Sequence, residues 1–263
     1  MKNKFLLFLV FFGFLGFTQP AGASYQDALE LYNAGKFEAA VTAGREAGTA
    51  EGFTLAVRGQ LVLIQYISDE KGRTAAINRA IEDSETALAL DPENVEAILN
   101  LGIIYGLRGR YEKSISDGKK SRDLLKKALK ASPENSWALG SLASWHAETI
   151  YQAGRIPALI IFGADRKSAF TLFARAAEVE PENLTIRAAY VRALLKVGEK
   201  KYKRLVNENI DYILNAPAVN ALEQMMKDQI RQIKRAIEAK DDESLELLLD
   251  ELRVPRVLQG PEG

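Results

Sequence analysis

The chain has 263 residues, with 35 Lys and Arg against 35 Asp and Glu, one histidine and no cysteine. That balance predicts no bulk attraction to nucleic acid or anionic lipid. The missing thiols exclude disulfides, thiolate nucleophiles and cysteine zinc clusters, and a lone histidine excludes a two-histidine metal site.

Lys2 and Lys4 precede an almost wholly apolar run from Phe5 to Phe17. Thr18-Gln19-Pro20 then breaks it, and Ala21-Gly22-Ala23 supplies small residues. This pattern predicts a secretory signal peptide over residues 1–23, cleaved after Ala23. An exported chain without cysteine fits a bacterial periplasm better than a eukaryotic secreted module. From Ser24 onward the charges are 33 Lys and Arg against 35 acids, a net near −2.

Beyond Ser24 the hydrophobic spacing is helical throughout, with no convincing alternating strand. Gly35-Lys36-Phe37-Glu38-Ala39-Ala40 reads as a turn and the start of a second helix. A further helix is expected over 53–67. Three Ala-rich helices then run into the same stop: Asp91-Pro92-Glu93-Asn94, Ser132-Pro133-Glu134-Asn135 and Glu180-Pro181-Glu182-Asn183. Counting back five residues from each proline gives Ala87, Ala128 and Ala176. Eight back stand Ser84, Leu125 and Phe173, and twelve back Ala80, Ser121 and Ala169. These predict an inward stripe, in which the small residues Ala80, Ser121 and Ala169 let helices approach closely. Asn94, Asn135 and Asn183 are expected N-caps of the helices that follow.

The prolines are 41 and 48 residues apart. The first interval predicts one long helix from Tyr111 to Ala131. The second contains Gly154-Arg155-Ile156-Pro157 and Gly163, and predicts an irregular insertion. Leu184 to Val197 and Lys201 to Leu214 read as another hairpin, and Ala218 to Ala239 as a long amphipathic helix. Asp241 or Asp242 can cap a last helix reaching Arg253. The expected organisation is a helical array over 24–216, capping helices over 217–253 and a loose tail over 254–263.

Counted from Asn94, Leu101, Gly102, Tyr105, Gly109 and Tyr111 fall at offsets 7, 8, 11, 15 and 17, and Leu142-Ala143 keep offsets 7 and 8 after Asn135. This resembles the tetratricopeptide repeat, a helix-turn-helix unit of roughly 34 residues. The resemblance implies an all-α fold, a right-handed superhelical array of antiparallel helix hairpins whose first helices line a concave groove. Its groove offsets place Glu96, Leu99, Ile103, Gly106 and Leu107 there, then Trp137, Gly140, Ser144, Ala147 and Glu148, then Thr185, Ala188, Arg192, Leu195 and Lys196. Asn100 takes the middle position of a clamp that some members use on a peptide carboxylate. Trp137 and Ser141 stand where that clamp needs Lys and Arg, so the full clamp is not expected. The groove would be apolar at Leu99, Ile103 and Leu107, aromatic at Trp137 and basic at Arg192 and Lys196; the alternative is that Leu99, Leu107 and Trp137 pack between neighbouring hairpins.

No phosphate loop, dinucleotide glycine pattern or serine elbow is present. His146 either pairs with Glu148 or Asp165 as an acid–base group, or packs at a position where the repeat family has Tyr. Trp145 beside it reads as structural, and Lys200 to Arg204 with Arg231, Lys234 and Arg235 as a solvated basic face or a contact for an acidic partner. Neither catalysis, a cofactor nor a metal is expected. Ile156, Leu159, Ile160, Ile161 and Phe162 form an apolar loop that would act as a lid, touch a partner or lipid, or tuck into the array. The expected function is that of an exported adaptor for a protein or extended peptide. The alternative is a periplasmic carrier, or an accessory protein of a transporter, that encloses a small apolar ligand.

Overall fold

The computed structural model describes residues 23–65, 69–198 and 200–250. The predicted signal peptide, except Ala23, and the predicted tail lie outside the described residues. So do the last residues of the helix expected to reach Arg253.

Helix pairs follow one another along the chain. α1 (Tyr25–Asn33) pairs with α2 (Phe37–Glu46), and α3 (Ala50–Ile64) with α4 (Glu70–Leu90). α5 (Val95–Tyr111) pairs with α6 (Ile115–Ala131). α7 (Ser136–Ala153) is followed by the short α8 (Arg155–Pro157) and a π-helical turn, Ala158–Phe162, and then packs against α9 (Arg166–Val179). α10 (Leu184–Val197) pairs with α11 (Lys203–Asn215); α12 (Ala221–Ala239) and α13 (Asp242–Asp250) complete the described chain, which contains no strand. This is an all-α, tetratricopeptide-like helical solenoid.

The three repeated stops work as side-chain chemistry requires. Asn94, Asn135 and Asn183 each accept a hydrogen bond from the backbone N–H three residues on, at 2.9, 2.9 and 3.0 Å. That satisfies a donor which the first turn of a helix leaves unpaired. All nine inward positions counted back from the prolines are buried. Asp241 caps α13 by accepting from the Ser244 N–H at 3.0 Å.

One expectation is corrected. Tyr111 to Ala131 is not a single helix: α5 runs on to Tyr111, the chain turns at 112–114, and α6 starts at Ile115 behind the Ser114 cap. Lys113 takes the left-handed conformation, φ 54°, which lets the Ser114 N–H reach the Gly109 carbonyl at 3.0 Å. The extra residues are therefore shared between both helices of the hairpin, each 17 residues long. Gly109 lies inside α5, where a Cβ would stand 2.9 Å from the Gly118 nitrogen; Gly102 faces Leu125 and Gly106 faces Ser121 in the same way. A stripe of small residues thus holds α5 and α6 in close contact, and Arg108 cross-links them through two 2.8 Å bonds to Asp117.

The inner helices α1, α3, α5, α7 and α10 each touch the next in that series. At the far end, α12 packs on α10 and α11 and also reaches α1. Its Leu222 and Met225 join the apolar cluster of Tyr32 and Phe37, and Ala221 meets Gly35 closely. The array therefore curls until its last long helix touches its first hairpin.

Candidate functional site

On the inner side of the curl lies a cleft of about 600 Å³. Helical spacing builds its walls. α5 presents Ile103, Gly106, Leu107 and Arg110; α7 presents Trp137, Gly140, Ser141, Ser144, Ala147 and Glu148; α10 presents Thr185, Ala189, Arg192 and Lys196. Within each helix these residues are three or four apart, so they share one face. Space exists because many of them are Gly, Ala or Ser. The turn into α6, at Ser114, Ile115 and Gly118, and the ring of Phe162 line one rim.

Of the groove residues expected from the repeat offsets, Ile103, Gly106, Leu107, Trp137, Gly140, Ser144, Ala147, Glu148, Thr185, Arg192 and Lys196 do line the cleft. The others do not. Leu99 is buried in the core. Asn100 is buried and donates from Nδ2 to the Thr54 carbonyl at 3.3 Å, which ties α5 to α3. Glu96 stands 4.0 Å from Arg58, Ala188 is buried, and Leu195 packs against the core. For Glu96 and Asn100 the reason is that α3 lies against the N-terminal half of α5; Leu99, Ala188 and Leu195 instead pack between neighbouring hairpins.

The charged end of the cleft is internally paired. Glu148 accepts from Lys196 Nζ at 2.6 Å and from Gln152 at 2.9 Å, with Arg110 Nε 3.3 Å away. Burial pulls the Glu148 carboxyl upward, but Lys196 and Arg110 outweigh it and hold the carboxyl below its usual value. Burial lowers the Lys196 ammonium, against the opposing pull of Glu148. The ammonium also lies 4.6 Å from the centre of the Tyr151 ring.

α13 reaches this same corner. Arg110 Nη2 donates to the Asp250 carbonyl at 2.7 Å, and Arg192 Nη2 to the Leu249 carbonyl at 3.3 Å. Two guanidinium groups thus meet main-chain carbonyls of α13. Burial and a hydrogen bond to Asp250 push the Tyr151 hydroxyl up to about 12. The polar face of α13 suggests a cap on the array; its approach to the cleft is set by the tertiary structure. The repeat offsets miss Arg110; its place one turn beyond Leu107 on the groove face of α5 was the available signal.

His146 is buried and faces away from the cleft. Its Nδ1 accepts the Asp165 backbone N–H at 3.1 Å, while the Asp165 carboxylate accepts from the Ser168 N–H and hydroxyl. Burial lowers the His146 pKa from its usual value. The imidazole therefore braces the start of α9 as a neutral acceptor, in keeping with the packed reading. Trp145 is also structural: its Nε1 donates to the Gly118 carbonyl at 2.9 Å. Among the described residues, no group of three or more His, Asp or Glu side chains is placed to hold a metal ion. What the cleft offers chemically is apolar wall, a Trp edge and the hydroxyls of Ser141, Ser144 and Thr149.

The insertion is ordered rather than irregular. Ala158 is buried, and Phe162 stacks edge-on to Trp145 with centroids 6.5 Å apart. Ile156, Leu159, Ile160 and Ile161 remain exposed.

Residues 84–116, which span the end of α4, the whole of α5 and the turn into α6, match the family model of the tetratricopeptide repeat. No curated protein matches the chain.

Proposed function

We propose that this chain, a member of the tetratricopeptide-repeat superfamily, is a non-catalytic adaptor that holds an extended apolar segment of a partner protein in its inner cleft. The observation that carries this reading is the cleft itself: Ile103, Leu107 and Trp137 converge on one open space floored by Gly140, Ser144 and Ala147. Trp is the kind of side chain that anchors protein interfaces. The paired state of Lys196 and Arg192 further favours a partner segment held mainly by apolar contact, with hydroxyl groups serving its backbone. In the cell, the N-terminal pattern directs this adaptor to the periplasm, with cleavage after Ala23.

A photo-crosslinking residue at Ser144 tests the assignment. The expected outcome is one protein captured from envelope extract, competed by a peptide from that protein, and lost with Leu107→Lys in a chain whose circular dichroism shows that it stays folded at the assay temperature. Capture that survives Leu107→Lys would overturn it. N-terminal sequencing of the purified protein tests the cleavage.

One observation supports a second reading. A volume of about 600 Å³ also lies within the range of small-molecule sites, roughly 300–1,000 Å³. A carrier of a small apolar ligand would release that ligand in native mass spectrometry, and Leu107→Lys would abolish its co-purification without any protein partner being captured.

A further inference from the structure

The join between α7 and α9 is where the surface departs most from what folding alone would select. Ile156, Leu159, Ile160 and Ile161 are 69, 56, 77 and 40 % exposed. Scattered exposed aliphatics are ordinary, but four within six residues make a patch.

That patch is held in place from below. Gly154 and Gly163, at φ 80° and 70°, bracket it. Buried Ala158 accepts a 3.0 Å bond from the Ala164 N–H through its carbonyl. Arg122 Nη1 donates to the Phe162 carbonyl at 2.9 Å, and the Phe162 ring lies against Gly118. With Ala158 and Phe162 turned inward, the four aliphatics are turned outward on a rigid turn.

Cations border the ridge. Arg155 precedes it and is exposed. On α6, the face that holds Gly118 and Arg122 against Phe162 also carries exposed Lys119 and Lys126 by helical spacing. The acids nearby are already engaged: Asp123 pairs with Arg122 at 2.8 Å, and Asp165 caps α9. The patch has no aromatic ring and no hydrogen-bonding side chain, the features that usually anchor a protein interface. A lipid surface requires neither.

We propose that this ridge seats the protein peripherally on an anionic lipid surface. Ile156, Leu159, Ile160 and Ile161 enter the boundary between headgroups and acyl chains, while Arg155, Lys119 and Lys126 lie against lipid phosphates. Apolar insertion combined with cations is the established physics of such docking. No described helix is long and apolar enough to cross a membrane, so the contact is one of resting on the surface.

Sedimentation with vesicles tests this. The chain is used from Ser24, so that the apolar run of residues 5–17 cannot carry the binding. Phosphatidylcholine vesicles with and without phosphatidylglycerol serve as probes. The wild type is expected to pellet with the anionic vesicles and far less with the neutral ones. Ile160→Asp should weaken that partition about tenfold or more. Lys119→Glu with Lys126→Glu should weaken binding to anionic vesicles alone, by about fivefold per charge removed. Melting should be unchanged in all variants, since each side chain is exposed. No pelleting of the wild type, or equal pelleting of Ile160→Asp, overturns the proposal. So does a dimer in light scattering that Ile160→Asp dissolves without any vesicle binding, which would assign the ridge to a second copy of the chain.

Discussion

Arg110 Nη2 holds the main-chain carbonyl of Asp250 at 2.7 Å, across 140 residues of sequence. Through this bond the last described helix is pinned to the wall of the inner cleft, beside Glu148 and Tyr151. Arg192 makes the matching contact to Leu249. The corner that the repeat offsets marked as basic is thus occupied by the chain's own carbonyls and by Glu148.

Arg110→Met removes the pin while keeping much of the side chain's bulk. Amides of residues 245–250 are expected to exchange hydrogen faster, with α1 and α2 unaffected, and stability should fall by about 1–3 kcal/mol. Exchange mass spectrometry measures this segment by segment. Unchanged exchange at 245–250 would show that the apolar contacts of Leu248 and Leu249, with the Arg192 bond, hold α13 without Arg110.

Glu148 and Lys196 form a pair whose members cannot be removed singly without cost. The Lys196 side chain is only 3 % exposed. Glu148→Leu leaves its ammonium without a carboxylate and should cost about 3–5 kcal/mol in denaturant unfolding. Glu148→Leu combined with Lys196→Met should recover much of that loss, because the enclosed ammonium is gone and Arg110 keeps the Asp250 carbonyl as a partner. A double variant as unstable as the single one would contradict this account.

Acid should weaken the fold through His146. The buried ring is held neutral, with its pKa below the usual value, whereas the unfolded chain binds a proton at about pH 6.5. Below that pH the unfolded state takes up the proton first, so stability falls. Its contribution is complete above about pH 6.5 and is lost as pH drops through the folded value. His146→Asn keeps an acceptor for the Asp165 N–H and does not titrate, so its melting temperature should vary less between about pH 7 and 5. Equal slopes for both proteins would remove His146 from the explanation.

Close approach at Gly109 predicts a packing defect. A Cβ there would stand 2.9 Å from the Gly118 nitrogen and 3.2 Å from the Ser114 carbonyl oxygen. Both are backbone atoms, so relief requires α5 and α6 to separate. Gly109→Ala should cost about 1–3 kcal/mol. Lys113→Gly, at φ 54° in the turn between those helices, should instead gain up to about 1 kcal/mol by relieving a left-handed side-chain clash. Thermal melts of the two variants should shift in opposite directions.

Local chemistry explains why so much of this architecture is legible in the residues themselves. An Asn behind a Pro-Glu caps the next helix whatever surrounds it, and a proline cannot continue the helix before it. Hence the stops at Pro92, Pro133 and Pro181, the buried stripe from Ala80 to Ala176 and the limits of α10 follow directly from the sequence. The face of α7 that lines the cleft follows as well, because helical spacing sets it within one element. What escaped that reading depends on distance. Seven extra residues fit equally into one helix or two, and the contact of Gly109 with Gly118 decides the division. Asn100 satisfies a polar side chain on either face, and the Thr54 carbonyl of α3 decides that it turns inward. The return of α12 to Gly35, and of α13 to Arg110, depends on the cumulative curl of every preceding pair. No single stretch of sequence encodes that angle, so the tertiary structure alone brings residues 110, 148, 196 and 250 to one corner.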